Sequence, residues 1–405
     1  MNPARFISFM ALLACCIAAR AEDVLDRMEE ALSFNTLGGA VHGKISGLAN
    51  LEAYRFSGTP LGSVFTSRRD FFNPRLIMFA DVQMGSHFYG FVQSRFDRGF
   101  NPRDKTTQLR LDEYALRLTP WLDGRFNLQV GKFATVVGNW VGRHQSWENP
   151  FINAPMLYDN FTAIYDAEIP ATAKQFLSGA TDDRYDYNPV IWGPSYATGA
   201  SVSGRLGKFD YAAEIKNSSL SSRPESWELR SMNFAHPTLS SRIGFRPDQA
   251  WNLGVSFSEG AYLLPRAFAN QPPGPRTGDF QQQVIAQDIS FAWHHWQLWA
   301  EVFEARFQVP NAGNADTLGY YVEAKYKFTP QLFGAVRWNQ MHFSRMSDGS
   351  GGSAPWFPDM WRVDVATGYR MTAHTQLKLQ YSLQHQSITF RPLSHMLALQ
   401  LTIRF

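Results

Sequence analysis

The sequence predicts an all-β fold: a transmembrane antiparallel β-barrel of about sixteen strands, preceded by a short N-terminal helix. Three observations predict it. Apolar and polar side chains alternate through one segment after another. Short and long connections alternate between those segments. The composition is polar on average yet rich in aromatic rings, with a mean hydropathy of −0.28, 15% aromatic and 18% charged residues.

Residues 1–21 read as an export signal. Arg5 gives the positive start, Phe6 to Ala14 is a short apolar run, and Ala19-Arg20-Ala21 fits a small-x-small cleavage site. The run is too short for a good membrane helix. A lipoprotein signal is the alternative, because Leu12-Leu13-Ala14 precedes Cys15. Cys15 and Cys16 are the two cysteines of the chain and both lie in the signal. The mature chain, expected to start at Glu22, therefore has no disulfide, thiolate nucleophile or cysteine-bound metal. Loss of Arg5 and Arg20 leaves 36 basic against 35 acidic residues, a net charge of +1. No strong field points to nucleic acid.

Residues 22–38 form the expected N-terminal periplasmic segment, with a helix from Glu22 to Phe34. Val24, Met28 and Leu32 lie on one stripe, and Glu22, Asp23 and Asp26 suit the positive helix start. A plug inside the barrel is the alternative placement.

The barrel is expected over residues 39–405. Leu76, Met78, Ala80, Val82 and Met84 alternate with Arg75, Asp81 and Gln83. Val322 and Ala324 alternate with Glu323 and Lys325; Trp361, Val363 and Val365 with Arg362 and Asp364; Leu377, Leu379 and Tyr381 with Lys378 and Gln380. Period-two alternation over about ten residues is one lipid face and one wet face. Tight turns are expected at Gly85-Ser86, Pro120 to Gly124, Gly207-Lys208, Pro247-Asp248, His294-His295, Thr329-Pro330 and Met371 to His374. Longer polar stretches separate them, including one at Val309 to Asp316. Trp121, Tyr211, Trp251, Trp293, Trp296, Phe328 and Tyr369 lie near the tight turns, where an interfacial aromatic girdle belongs. A propeller would need a blade-length repeat, and none is visible.

The last residues, Leu397 to Phe405, carry Leu397, Leu399, Leu401, Ile403 and Phe405 at alternate positions. They resemble the closing strand of Gram-negative outer-membrane proteins. The resemblance implies an outer-membrane location, contact with lipid and lipopolysaccharide, and recognition of Phe405 by the barrel-assembly machinery. A second resemblance lies in Val130-Gly131-Lys132-Phe133 followed by Gly138, with Asp112-Glu113-Tyr114-Ala115 upstream. Over about 30 residues it is similar to the strand-to-loop passage of phosphate-selective-type porins. It implies a porin-like barrel, for which a homotrimer is the usual assembly. It does not imply phosphate selectivity, since that family's arginine ladder has no residue-by-residue match.

The segment Gly138 to Ser195 follows the fifth expected strand and far exceeds the other connections. A long loop of this kind is usually functional, and it is expected to fold inward as a constriction. Its candidate lining residues are Glu148, Asp159, Asp166, Glu168, Asp182, Asp183, Trp147 and Tyr158. Candidate pore-wall residues are Arg75, Arg95, Arg110, Arg125, Arg242, Arg337, Arg362 and Arg370. A charge on the lipid face at mid-membrane costs about 2–4 kcal/mol, which sorts these arginines inward. The bland readings are solvated loop acids and arginines that only pair with neighbouring carboxylates.

The expected function is a passive channel for small hydrophilic solutes or ions, with no cofactor and no metal. A saccharide- or anion-preferring channel is the alternative, the former because aromatic faces stack on sugar rings. A receptor or adhesin and a barrel enzyme are further alternatives. His144, Ser146 and Glu148, or His385 and Ser387, are sequence neighbours without a nucleophile motif.

Overall fold

The computed structural model describes residues 22–58, 60–64, 66, 68–98, 107–181, 183–224, 234–269, 276–387 and 393–405. The expected signal and its cleavage site lie outside these residues, as does Asp182 of the long loop.

Sixteen antiparallel strands close into a barrel. In chain order they are β1 (Val41–Ser57), β2 (Asp70–Met84), β3 (Phe88–Asp97), β4 (Gln108–Leu118), β5 (Asn127–Phe133), β6 (Ala197–Leu206), β7 (Phe209–Lys216) and β8 (Thr238–Phe245). The second half is β9 (Trp251–Ala261), β10 (Gln281–Trp293), β11 (Trp296–Val309), β12 (Gly313–Lys327), β13 (Leu332–Phe343), β14 (Met360–Arg370), β15 (Thr375–Gln386) and β16 (Leu393–Arg404). Each strand pairs with its neighbour in sequence, and β1 pairs with β16 from Leu48↔Arg404 to Ser57↔His395. Closure leaves no edge, which a barrel in hydrocarbon requires. Phe405 extends this seam: its N–H donates to the Gly47 carbonyl at 3.1 Å and its carbonyl accepts from Gly47 N–H at 2.9 Å.

The alternation predicted from sequence is the inside–outside alternation of the wall. Val130, Leu239, Ile243, Val255, Phe257, Ile285, Val322, Val336, Val365 and Leu379 point outward and are exposed, while Glu301, Glu323, Arg337, Arg362, Asp364, Lys378 and Gln380 point inward and are buried. An exposed apolar band of this extent is a lipid-facing surface. Below it, Trp121, Trp251, Trp293, Trp296, Phe328 and Tyr369 are exposed beside the tight turns.

Two boundaries differ from expectation. The stretch from Val309 to Asp316 is no long loop: Val309 and Gly313 are cross-strand partners, and three residues turn the chain. At the N-terminus, residues 22–31 are helical, but Ser33–Thr36 is a short strand paired with Val41–Lys44 of β1. Backbone bonds to β1 outcompete another turn of helix there. The helix sits at the short-turn rim, where Asp26 meets His374 at 2.8 Å and Glu29 pairs with Lys44. Val24 remains exposed while Met28 and Leu32 are half-buried, so only part of the apolar stripe is used.

Candidate functional site

The chain between β5 and β6 turns into the lumen, and two glycines let it. Gly131 has φ +146°, and a Cβ there would lie 2.1 Å from the Tyr114 carbonyl oxygen. Gly138 has φ +78°, and a Cβ there would meet the Tyr158 hydroxyl at 2.4 Å and Glu301 Oε1 at 2.8 Å. These two positions bound the motif singled out in the sequence. Just before it, a bulge in β4 opposite Gln93 and Ser94 makes Asp112 the extra residue. Asp112 and Glu113 then both reach inward; Glu113 accepts from the Ala134 N–H at 2.8 Å, fixing the loop's first residue.

From there the loop crosses to the opposite wall. Glu301 of β11 accepts from the N–H of Asn139, from the N–H of Trp140 at 2.8 Å and from the Tyr158 hydroxyl at 2.7 Å. Arg143 donates to Glu323 of β12 at 2.6 Å and to the Tyr321 hydroxyl at 3.2 Å. Lys378 of β15 donates to the carbonyls of Ser146 (2.7 Å) and Asn149 (3.0 Å), and Gln380 accepts from the Ile152 N–H at 2.6 Å. On β13, Arg337 donates to Asn153 Oδ1 at 3.0 Å and Asn339 accepts from the Met156 N–H at 3.0 Å. Such bonds satisfy the backbone of an irregular segment far from bulk water.

Beyond these polar anchors the loop builds a dry core against the same wall. Val137, Met156, Leu157, Ile164, Ile169, Phe176, Val190 and Ile191 pack on Val284, Ala286, Phe303, Ala305, Phe307, Met341 and Phe343. About half of the barrel interior, along β10 to β14, is therefore filled. The open part lies against β1 to β4, a cavity of about 220 Å³. Its wall carries Glu52, Arg75, Arg95, Asp97, Arg98 and Arg110; its loop side carries His144, Asn149, Tyr158, Asp159, Phe161 and Trp192.

Seven of the eight predicted wall arginines face inward. Arg125 does not: it sits exposed in a tight turn, held by Asp123 at 2.6 Å, because the strand starts two residues later than its alternation suggested. Most of the others are paired, as the bland reading held. Arg75 pairs with Glu52, Arg95 with Asp112 (2.9 Å), Arg110 with Asp97 (3.2 Å), and Arg242 with Asp210 (2.8 Å) and Asp288 (2.7 Å). Arg337 meets Asp364 at 2.9 Å; Arg362 meets both Asp364 and Asp159 at 3.3 Å. Arg370 lies over the Trp147 ring instead, 5.2 Å from its centre.

The predicted loop acids scatter. Among the described ones, Asp159 alone lines the cavity, and burial pushes its carboxyl up to about 6 against the pull of Arg362 and Arg337. Asp166 is buried and accepts from Asn188 Nδ2 at 2.8 Å. Asp183 accepts from the Tyr185 N–H, and Glu148 and Glu168 are exposed. Trp147 packs on Leu48 and Ile77. Sequence reasoning missed Glu301, Lys378, Gln380 and Asn339 as the loop's anchors. Lys378 and Gln380 were visible as inward positions, but nothing local shows what they hold.

His144 lines the cavity as a neutral imidazole. Burial lowers its pKa to about 4. Its Nδ1–H donates to the Val141 carbonyl at 2.6 Å, leaving Nε2 to accept from the Tyr196 hydroxyl at 2.8 Å. The folded pKa lies below the ordinary value near 6.5, so the unfolded chain takes up more protons between pH 6.5 and 4. Stability contributed by neutral His144 is complete above pH 6.5 and is lost as pH falls toward 4. The urea midpoint is expected to drop between pH 7.5 and 5, and to drop less in His144→Gln; equal drops would show that His144 is not involved.

Neither protein-family models nor curated protein sequences match this chain. Solved structures match its fold. OmpT, an outer membrane protein of Vibrio cholerae, aligns with TM-score 0.56 and 8% identity over 90% of this chain and 98% of that one. This chain has the porin fold. The outer membrane channel DcaP of Acinetobacter baumannii aligns with TM-score 0.56 and 10% identity over 92% and 99% of the two chains. An anion-selective porin from Comamonas acidovorans aligns with TM-score 0.55 and 7% identity over 90% and 100%. At these identities the likeness is one of architecture, and this barrel's lumen must be read from its own residues.

Proposed function

We propose that this porin-fold chain is an outer-membrane diffusion channel, open to small hydrophilic solutes along β1 to β4. The observation that carries the proposal is the inward-folded loop. It fills one half of the lumen and leaves, against the other, a polar cavity of about 220 Å³. A polar cavity of that size holds several waters, so it suits hydrated ions and small polar molecules. Four guanidiniums line it, from Arg75, Arg95, Arg98 and Arg110; Glu52, Asp112 and Asp97 pair with Arg75, Arg95 and Arg110, and Asp159, on the loop side, pairs with Arg362. All of these charges except Arg98 are neutralised in pairs, so this narrow part sorts solutes by polarity and size more than by sign.

The sugar-stacking alternative finds its rings here, since Phe161 and Trp192 line the cavity. Both rings are buried, 6% and 5% exposed, and each has an arginine beside it: Arg184 lies 5.8 Å from the Phe161 ring centre and Arg223 lies 4.8 Å from that of Trp192. A polar diffusion channel needs no free ring face and is the better reading. In the membrane the apolar band would meet lipid, and lipopolysaccharide on the outer leaflet, with Phe405 as the assembly signal. A homotrimer is the assembly proposed.

Planar-bilayer recording on the refolded mature chain tests this. Discrete open-channel steps are expected, in threes for a trimer. Removing residues 165–187 should raise the step size, because the cut ends Ile164 and Asn188 are already strand partners and the excised tip is latched at the mouth by Arg184 to the Pro60 and Gly62 carbonyls. A correctly folded, inserted barrel that stays silent would remove the channel reading, and ester hydrolysis by it would favour the enzyme alternative.

A further inference from the structure

A second cavity, of about 150 Å³, lies at the short-turn end of the lumen beneath the long loop. Its floor is the turn Thr329-Pro330-Gln331, and its charged lining is Arg143, Glu148, Lys325, Lys327 and Arg370. Its electrostatics are the opposite of the narrow part. Arg143 is neutralised by Glu323. Among the described residues Lys325, Lys327 and Arg370 have no carboxylate within salt-bridge distance, whereas Arg75, Arg95 and Arg110 of the cavity wall, Arg242 of β8, Arg337 of β13 and Arg362 of β14 all do. Glu148 is the only acid in the lining and is likewise unpaired. Three free cations against one free acid leave a net charge of +2.

Lys325 is the sharpest sign. It is 8% exposed, and its ammonium rests 4.5 Å from the centre of the Phe333 ring with no hydrogen-bond acceptor among the described residues. A charge withdrawn from water normally has a counter-charge, and an unpaired cation beside a polar cavity is one that an anion held there would complete. The cations are also spread out. Lys325 and Lys327 stand on β12 and Arg370 on β14, two strands away; the β14 residues level with the two lysines are Ala366 and Gly368, so Arg370 is also offset along its strand, its backbone about 16 Å from that of Lys325 and about 12 Å from that of Lys327. One compact tetrahedral anion would not meet both sides, whereas a short chain with a carboxylate at each end would.

We propose that this cavity is a binding site for small dicarboxylates, and that through it, and not through the largely neutralised narrow part, the channel prefers anions. The inference rests on the channel reading for its role in transport but not for binding, and the experiment separates the two. Calorimetry on the folded barrel in detergent, with succinate as the probe, should show one binding event per chain. Acetate and inorganic phosphate should bind more weakly, and glucose should not bind.

Lys325→Gln and Arg370→Gln should each weaken succinate binding roughly tenfold or more, since each removes one close counter-charge. Glu148→Gln should tighten it. Lys325→Arg keeps the charge and should restore most of the affinity if loss in Lys325→Gln is electrostatic. In bilayers, the same two Gln variants should reduce anion preference measured from reversal potentials while leaving open-channel steps. A conducting barrel whose succinate affinity is absent, or unchanged in both Gln variants, overturns this site and leaves the channel reading intact. Phosphate bound more tightly than succinate overturns the dicarboxylate assignment. Succinate binding by a silent barrel upholds the site and sinks the channel.

Discussion

Asp364→Ala is expected to cost about 3–5 kcal/mol, the usual loss when a buried ion pair is broken from one side. Asp364 sits on β14 with 0% exposure, and so do both guanidiniums that share it, Arg337 and Arg362. Its Oδ2 accepts from Arg337 Nε at 2.9 Å, Arg362 Nε at 3.3 Å and Asn339 Nδ2 at 3.0 Å; its Oδ1 accepts from Ser382. Removing the carboxylate leaves two desolvated cations with reduced compensation: Glu323 lies 3.6 Å from Arg337, and Asp159 alone remains for Arg362. Asp364→Asn keeps the hydrogen-bonding shape without the charge and should lose less. The check is the urea midpoint of the folded barrel. If Asp364→Ala unfolds like the parent, the buried cluster does not hold this wall together.

The same cluster shows how far the sequence could be read. That Arg337, Arg362 and Asp364 face inward follows from a period of two, a local signal. So do the tight turns, the aromatic rim and the terminal strand, and these give the barrel nearly whole. That Arg337 stands directly opposite Asp364 depends on strand register, which no local pattern records. The arginines could therefore be placed in the lumen but not known to be paired. Arg125 failed for a related reason: alternation does not say where a strand begins.

The long loop was recognisable by length and position, yet its acids were a poor guide. An irregular segment has no periodicity to separate core from surface. Ile164, Ile169, Phe176 and Val190 gave no sign that they would form a dry core against Phe303 and Phe307. The loop is held by backbone groups caught on Glu301, Lys378, Gln380 and Asn339, and a backbone N–H or carbonyl has no letter in the sequence.

Glu301→Ala should release the root of that loop and produce the largest change in conductance of any single substitution. The carboxylate has 0% exposure and binds three donors from the loop, the N–H groups of Asn139 and Trp140 and the Tyr158 hydroxyl. Each donor left buried and unsatisfied costs about 1–3 kcal/mol. These donors have an escape that the guanidiniums beside Asp364 lack: by moving toward the polar cavity along β1 to β4, the segment can give them to water. The strain should therefore appear as loop movement and not as global unfolding. Open-channel current should rise or become noisy, protease cleavage within residues 138–160 should become faster, and the urea midpoint should change little. Glu301→Gln keeps one good acceptor oxygen and should fall between parent and Ala variant. An Ala variant with parental current and parental protection would mean that the apolar core seats the loop without help, and that the inward turn at Gly138 does not depend on the carboxylate waiting for it on the far wall.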